Sequence, residues 1–165
     1  MNESIKMLVR VLREELQQYG EMLALLDQQQ ALIVQRSAGK LVENLAAINA
    51  QTSVIQVARR QREQRQRELH AVLRLPENTT FRDLIPLLSD EYRPLVQALV
   101  DEVNQCLRRV QQRTRQNHLL LARSVEMIQR FMAMLFPSNA VTTYGQDGRV
   151  AGMAAGSGGL CEVVG

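Results

Sequence analysis

Side chains able to do acid–base, nucleophilic or metal chemistry are few in this sequence, and they stand apart. His70 and His118 are each alone on a stretch of helical pattern. A lone helical histidine is far more often a surface or internally bonded side chain than a ligand. Glu14–Glu15 and Asp101–Glu102 are adjacent acids without a histidine to complete a metal set. Cys106 and Cys161 have neither zinc nor redox spacing. One falls in a predicted helix and the other in a glycine-rich tail, so no disulfide is expected. Ser157, in Gly-Ser-Gly-Gly, is not on the strand-to-helix elbow that exposes a nucleophile. The same glycines lack the Lys-Ser/Thr and the following helix of a phosphate loop. The sequence therefore predicts no enzyme, no metal site and no cofactor.

The densest charge is ARRQREQRQRELH, residues 58–70. Of the 20 Lys and Arg residues in the chain only Lys6 and Lys40 are lysines, and the net charge is +3. Arginine in this quantity suits nucleic acid or ion pairs inside a bundle. Glu63 and Glu68 are interspersed, Glu63 stands four residues before Arg67, and no aromatic residue is interleaved for base stacking. Register counting places Arg59 and Arg62 opposite Glu14, Glu15, Asp101 and Glu102. These six are read as a polar layer that fixes register more than it stabilises. That reading is preferred to nucleic-acid binding.

The elements that must position these residues are long helices. With 165 residues, 45% of them hydrophobic and 4% aromatic, the chain suits one helical domain with an adequate core. Ile5, Leu12, Tyr19, Leu26 and Ile33 repeat every seven residues, with Leu8, Leu16 and Leu23 beside them. That heptad seam predicts a helix over about 3–35, interrupted by Gly20. Residues 37–40 break it. Leu41, Leu45, Ile48, Thr52 and Ile55 restart the spacing for a second helix over about 39–74, stopped by Pro76 and Asn78. Thr80, with Asp83 as capping partner, starts a short helix over about 81–88. A third long helix covers about 90–136, with Pro94 in its first turn and a seam of Tyr92, Val96, Leu99, Val103, Cys106, Val110, Asn117, Leu120, Ser124, Met127, Phe131 and Met134.

Short connections make neighbouring helices antiparallel, so the expected fold is all-α: an elongated, coiled-coil-like three-helix bundle over 1–136. Residues 137–165 hold seven of the nine glycines and are read as a flexible tail. At 1.5 Å per residue the second helix is about 54 Å long and the third about 69 Å. Aligned at their shared end, the third outruns its partners near residue 126. Met127, Ile128, Phe131, Met132, Met134, Leu135 and Phe136 are then expected on a projecting end, with Leu119, Leu120, Leu121 and Val125 at the border between core and patch. Apolar residues around so much of a helix mark an interaction surface or a covered core. Three methionines suit an adaptable surface, and an amphipathic helix is the natural occupant. No apolar run reaches the roughly 20 residues of a membrane span, and no signal peptide is read, so the expected compartment is cytosolic. A homodimer made by the same patch stays open, as does monomer.

NHLLLARSVEMIQRFMAMLF followed by a glycine-rich tail with TYGQDGRV resembles the FlgN family of flagellar type III export chaperones. The likeness is most specific over residues 117–150, where an Asn-x-Leu-Leu helix leads to Thr143-Tyr144-Gly145-x-Asp147-Gly148. The resemblance implies a cytoplasmic chaperone of the hook-associated proteins that join hook to filament. It implies that residues 120–135 cover the clients' sticky terminal helices, and that the client is delivered to the cytoplasmic domain of the export gate. Tyr144 is then a gate-docking residue. The basic charge departs from the acidic balance common among export chaperones.

Overall fold

The structure, a computed structural model, describes residues 2–76 and 78–135. Four α-helices follow one another: α1 (Asn2–Val34), α2 (Ala38–Leu73), α3 (Phe81–Leu84) and α4 (Arg93–Leu135), with a 3-10 turn at Ile85–Leu87 between the last two. By its internal contacts the chain divides into two compact units, Met1–Met127 and Ile128–Gly165. The first contains the bundle. Of the second, residues 128–135 are described, as the last two turns of α4.

The α1 heptad seam is the spine of the core. Ile5, Leu12, Tyr19, Leu26 and Ile33 are all buried, together with Leu8, while Leu16 and Leu23 are half-buried. From α4 the seam supplies Val96, Leu99 and Val103, and α2 supplies Ile55 and Leu69. Cross-helix hydrogen bonds show the directions. Asn44 of α2 reaches Leu25, and Gln51, seven residues on, reaches Gln18, so α2 runs antiparallel to α1. Lys6 shares a cleft with Leu95, Leu12 one with Val103 and Asp27 one with Arg113, so α4 runs parallel to α1. The order is up, down, up.

Local chemistry explains the breaks. α1 ends at Arg36, whose φ of 55° is left-handed. There the Ser37 N–H donates to the Leu32 carbonyl and the Arg36 N–H to the Ile33 carbonyl, which takes up two orphan carbonyls in a Schellman-type turn. Of residues 37–40, read as the break, only Ser37 lies outside α2. α2 ends the same way at Arg74, φ 56°. The Thr80–Asp83 capping box is present: each residue's side chain bonds the other's backbone N–H, both at 3.4 Å. The short helix expected over 81–88 is one turn of α-helix followed by the 3-10 turn, because Pro86 cannot donate to the ladder. α4 starts at Arg93 rather than 90. Residues 90–92 form turns in which the Ser89 carbonyl accepts from the Tyr92 and Arg93 N–H groups. α4 continues through residue 126 without a break.

Candidate partner-binding surface

The α4 seam changes character along its length. Val96 is fully buried and Asn117 is 1% exposed, whereas Met127 is 59% exposed. Leu120, Leu121 and Ser124 are half-buried, and the Ser124 hydroxyl turns back to donate to the Leu120 carbonyl at 2.9 Å. Leu119 and Val125 are exposed. At Met127 an Arg36 guanidinium nitrogen lies 4.0 Å from the sulfur. In the second unit, Ile128, Phe131, Met132 and Leu135 follow the 3-4 spacing of one helix face, and Met134 lies off it. All five are exposed, Phe131 by 60% and Met134 by 79%. Side chains of this kind lose hydrophobic stabilisation while they face water, roughly 25 cal/mol per Å² of apolar surface.

Below this stretch, α4 is anchored by an arrangement the sequence reading missed. Four consecutive α1 residues, Asp27-Gln28-Gln29-Gln30, each meet a polar side chain of another helix. Asp27 pairs with Arg113 at 2.7 Å, and the same arginine donates to Gln30 at 2.7 Å. Asn44 of α2 donates to the Leu25 carbonyl at 3.0 Å and to Gln28 at 3.2 Å. Asn117 of α4 donates to the Leu26 carbonyl at 2.7 Å and to Gln29 at 2.9 Å. Two amides, one from each neighbour, thus grip successive carbonyls of α1. A polar residue at a seam position of this kind sets register. The signal was the uninterrupted DQQQ itself, together with Asn117 standing on an apolar seam.

Of the six residues read as a polar layer, the structure brings two into contact. Arg62 Nε donates to Glu15 Oε2 at 2.6 Å, with Glu15 2% and Arg62 16% exposed. Arg62 also bonds Gln66 at 3.2 Å and faces the Phe81 ring at 5.9 Å. Arg59 is exposed at the rim of the same small cleft. Glu14 accepts from Gln18 at 2.9 Å, Asp101 accepts from Gln97 at 2.9 Å, and Glu102 is exposed. Burial raises the Tyr19 phenol above its ordinary value, and the nearby Glu15 charge adds to the rise. Arg65 holds the Glu68 carboxyl below its ordinary value through a 2.7 Å hydrogen bond.

His70 is buried rather than on the surface, and neither ring nitrogen has a partner among the described residues. Burial raises the Cys106 thiol, partly offset by the Arg109 charge. Among the described residues no group of three His, Cys, Asp or Glu side chains could hold a metal ion, and no helix is long and apolar enough to cross a membrane. Phe136 and Tyr144 lie outside the described residues.

An all-α bundle with this much apolar side chain open on one helix carries the kind of patch that marks interaction sites. The family model described as FlgN protein matches residues 1–152, and the chain belongs to the FlgN family. The family implies a flagellar export chaperone and is not known for enzymes. Comparison with curated proteins and with solved structures gave no match.

Proposed function

We propose that this chain binds unassembled flagellar hook-associated proteins in the cytoplasm, keeps them from assembling early and delivers them to the type III export gate. The client surface is the last third of α4: Leu120, Leu121, Val125, Met127, Ile128, Phe131, Met132, Met134 and Leu135. The observation that carries this is the α4 seam, buried at Val96, Leu99, Val103 and Asn117, with Met127, Phe131 and Met134 open to solvent at the same spacing. An amphipathic client helix would bury those side chains as a partner helix does. The segment from 137 onward, with Tyr144, makes the contact to the cytoplasmic domain of the gate. Tethering that contact to a loaded client raises its effective concentration at the gate.

Titration calorimetry against a hook-associated protein of the same organism tests the reading, with light scattering for mass. Met127→Ala with Phe131→Ala should weaken client binding at least about tenfold, since two large apolar contacts are lost, and leave helical content unchanged. Removal of residues 127–165 should abolish the complex. Wild-type affinity in the double variant would place the site elsewhere. A stable dimer that binds no client would show that the apolar side chains serve self-assembly.

A further inference from the structure

A second surface lies at the start of the bundle, in the cleft between the N-terminal part of α1 and the first turns of α4. Lys6, Arg10 and Arg13 stand at i, i+4 and i+7 on α1, so they form one stripe about 10 Å long. All three are exposed, and none makes an ion pair among the described residues. They line an open cleft of about 500 Å³ to which the buried Val9 and the half-buried Leu95 and Tyr92 add apolar surface. That volume falls within the roughly 300–1,000 Å³ of clefts that take a ligand. The one carboxylate lining it, Glu14, accepts from the neutral Gln18 amide and keeps its charge, so three cations face one anion. Arg62, Arg65, Arg93 and Arg113, by contrast, have acids of this chain beside them.

We infer that this cleft docks an acidic amphipathic helix of a partner protein, with apolar side chains against Val9 and Leu95 and carboxylates opposite Lys6, Arg10 and Arg13. Two features select this occupant. The cation spacing is that of a helix face, and a second helix lying along it repeats the same spacing, so acids at i, i+4 and i+7 meet all three cations. The site is also concave with an apolar side. A bilayer surface is flat, and a nucleic-acid strand offers phosphates but no apolar side chains for the cleft. The inference is independent of the client reading, since it uses none of residues 120–135.

The test uses the full chain and a synthetic helical peptide with leucines on one stripe and glutamates at i, i+4 and i+7 beside it, followed by fluorescence anisotropy. A control peptide has glutamine in place of glutamate. The acidic peptide should bind, weaken about tenfold or more between low and roughly physiological salt, and lose most of its affinity for the Lys6→Glu, Arg10→Glu, Arg13→Glu triple variant. Circular dichroism should show that variant fully helical, because all three side chains are exposed. Met127→Ala with Phe131→Ala should bind the peptide as wild type does, which separates this surface from the client surface. Equal binding to the triple variant, equal binding of the glutamine peptide, or no binding at all would overturn the proposal. So would binding to phosphatidylglycerol vesicles without binding to the peptide, which would assign the cations to a lipid surface.

Discussion

Removing the Arg62 guanidinium should damage the bundle more than removing the Glu15 carboxylate that it holds. The Nε–Oε2 distance is 2.6 Å, and the two side chains differ in their alternatives. Glu15 is 2% exposed among Leu12, Tyr19 and Val103, and without Arg62 it keeps only the Tyr19 phenol and the charge of Arg59 at the rim of the small cleft. Arg62 is 16% exposed and keeps Gln66 at 3.2 Å, Glu63 at 3.5 Å and the Phe81 ring. Arg62→Met leaves a buried anion without its ion pair and should cost about 3 kcal/mol, the lower end of the range for broken buried pairs because Tyr19 and Arg59 stay beside Glu15 and Arg62 is not fully enclosed. Glu15→Leu leaves a cation with other partners and should cost about 1 kcal/mol. The double variant, with apolar side chains on both sides, should lie within about 1 kcal/mol of wild type. Set against a total stability of about 5–15 kcal/mol, these differences are large. Urea unfolding followed by circular dichroism measures all four corners of the cycle. A smaller cost for Arg62→Met than for Glu15→Leu, or a double variant that is the least stable of the four, would refute burial asymmetry as the cause.

Three further outcomes can be checked on the same unfolding curves. Gly20→Ala should stabilise by about 1 kcal/mol, because Gly20 is an exposed mid-helix position where an added Cβ meets nothing within 4 Å; a lower midpoint would mean that α1 needs flexibility there. His70→Leu should raise the urea midpoint, since it replaces two buried, unbonded ring nitrogens worth about 1 kcal/mol or more in desolvation. An unchanged midpoint would show that the ring is satisfied in solution. The Thr80 hydroxyl, and then its backbone N–H, hold the Asp83 carboxyl below its ordinary value of 3.8. A carboxyl lowered on folding adds stability that is present above its unfolded value and is lost as pH falls through the folded value. The carboxylate-linked part of the Thr80→Val destabilisation should therefore be complete at neutral pH and shrink below about pH 4, and a cost independent of pH would refute the bond from the Thr80 hydroxyl to the Asp83 carboxylate.

Much of this protein is legible before folding is considered. The seven-residue repeat of Ile5, Leu12, Tyr19, Leu26 and Ile33 determines a long helix and its buried side, since side chains seven apart share a face. Thr80 and Asp83 determine a helix start, because the capping box closes within four residues. The exposed apolar run from Met127 onward shows in the same way, as an excess of apolar residues over the width of one stripe. These are local properties, set by spacing and bond reach. The tertiary structure alone decided which polar residues meet. Asp27-Gln28-Gln29-Gln30 looks like a solvated patch until α2 and α4 bring Asn44, Arg113 and Asn117 to it. Arg59 and Arg62 are three residues apart, yet Arg62 reaches Glu15 and Arg59 stays exposed, because helix rotation rather than sequence position chooses which guanidinium faces inward. The left-handed residues at the two helix ends are arginines, Arg36 and Arg74, which residue type does not single out. A chain takes that backbone shape wherever the next helix must turn back, and packing of α1 against α2 compensates a cost of about 1–2 kcal/mol at a residue other than glycine.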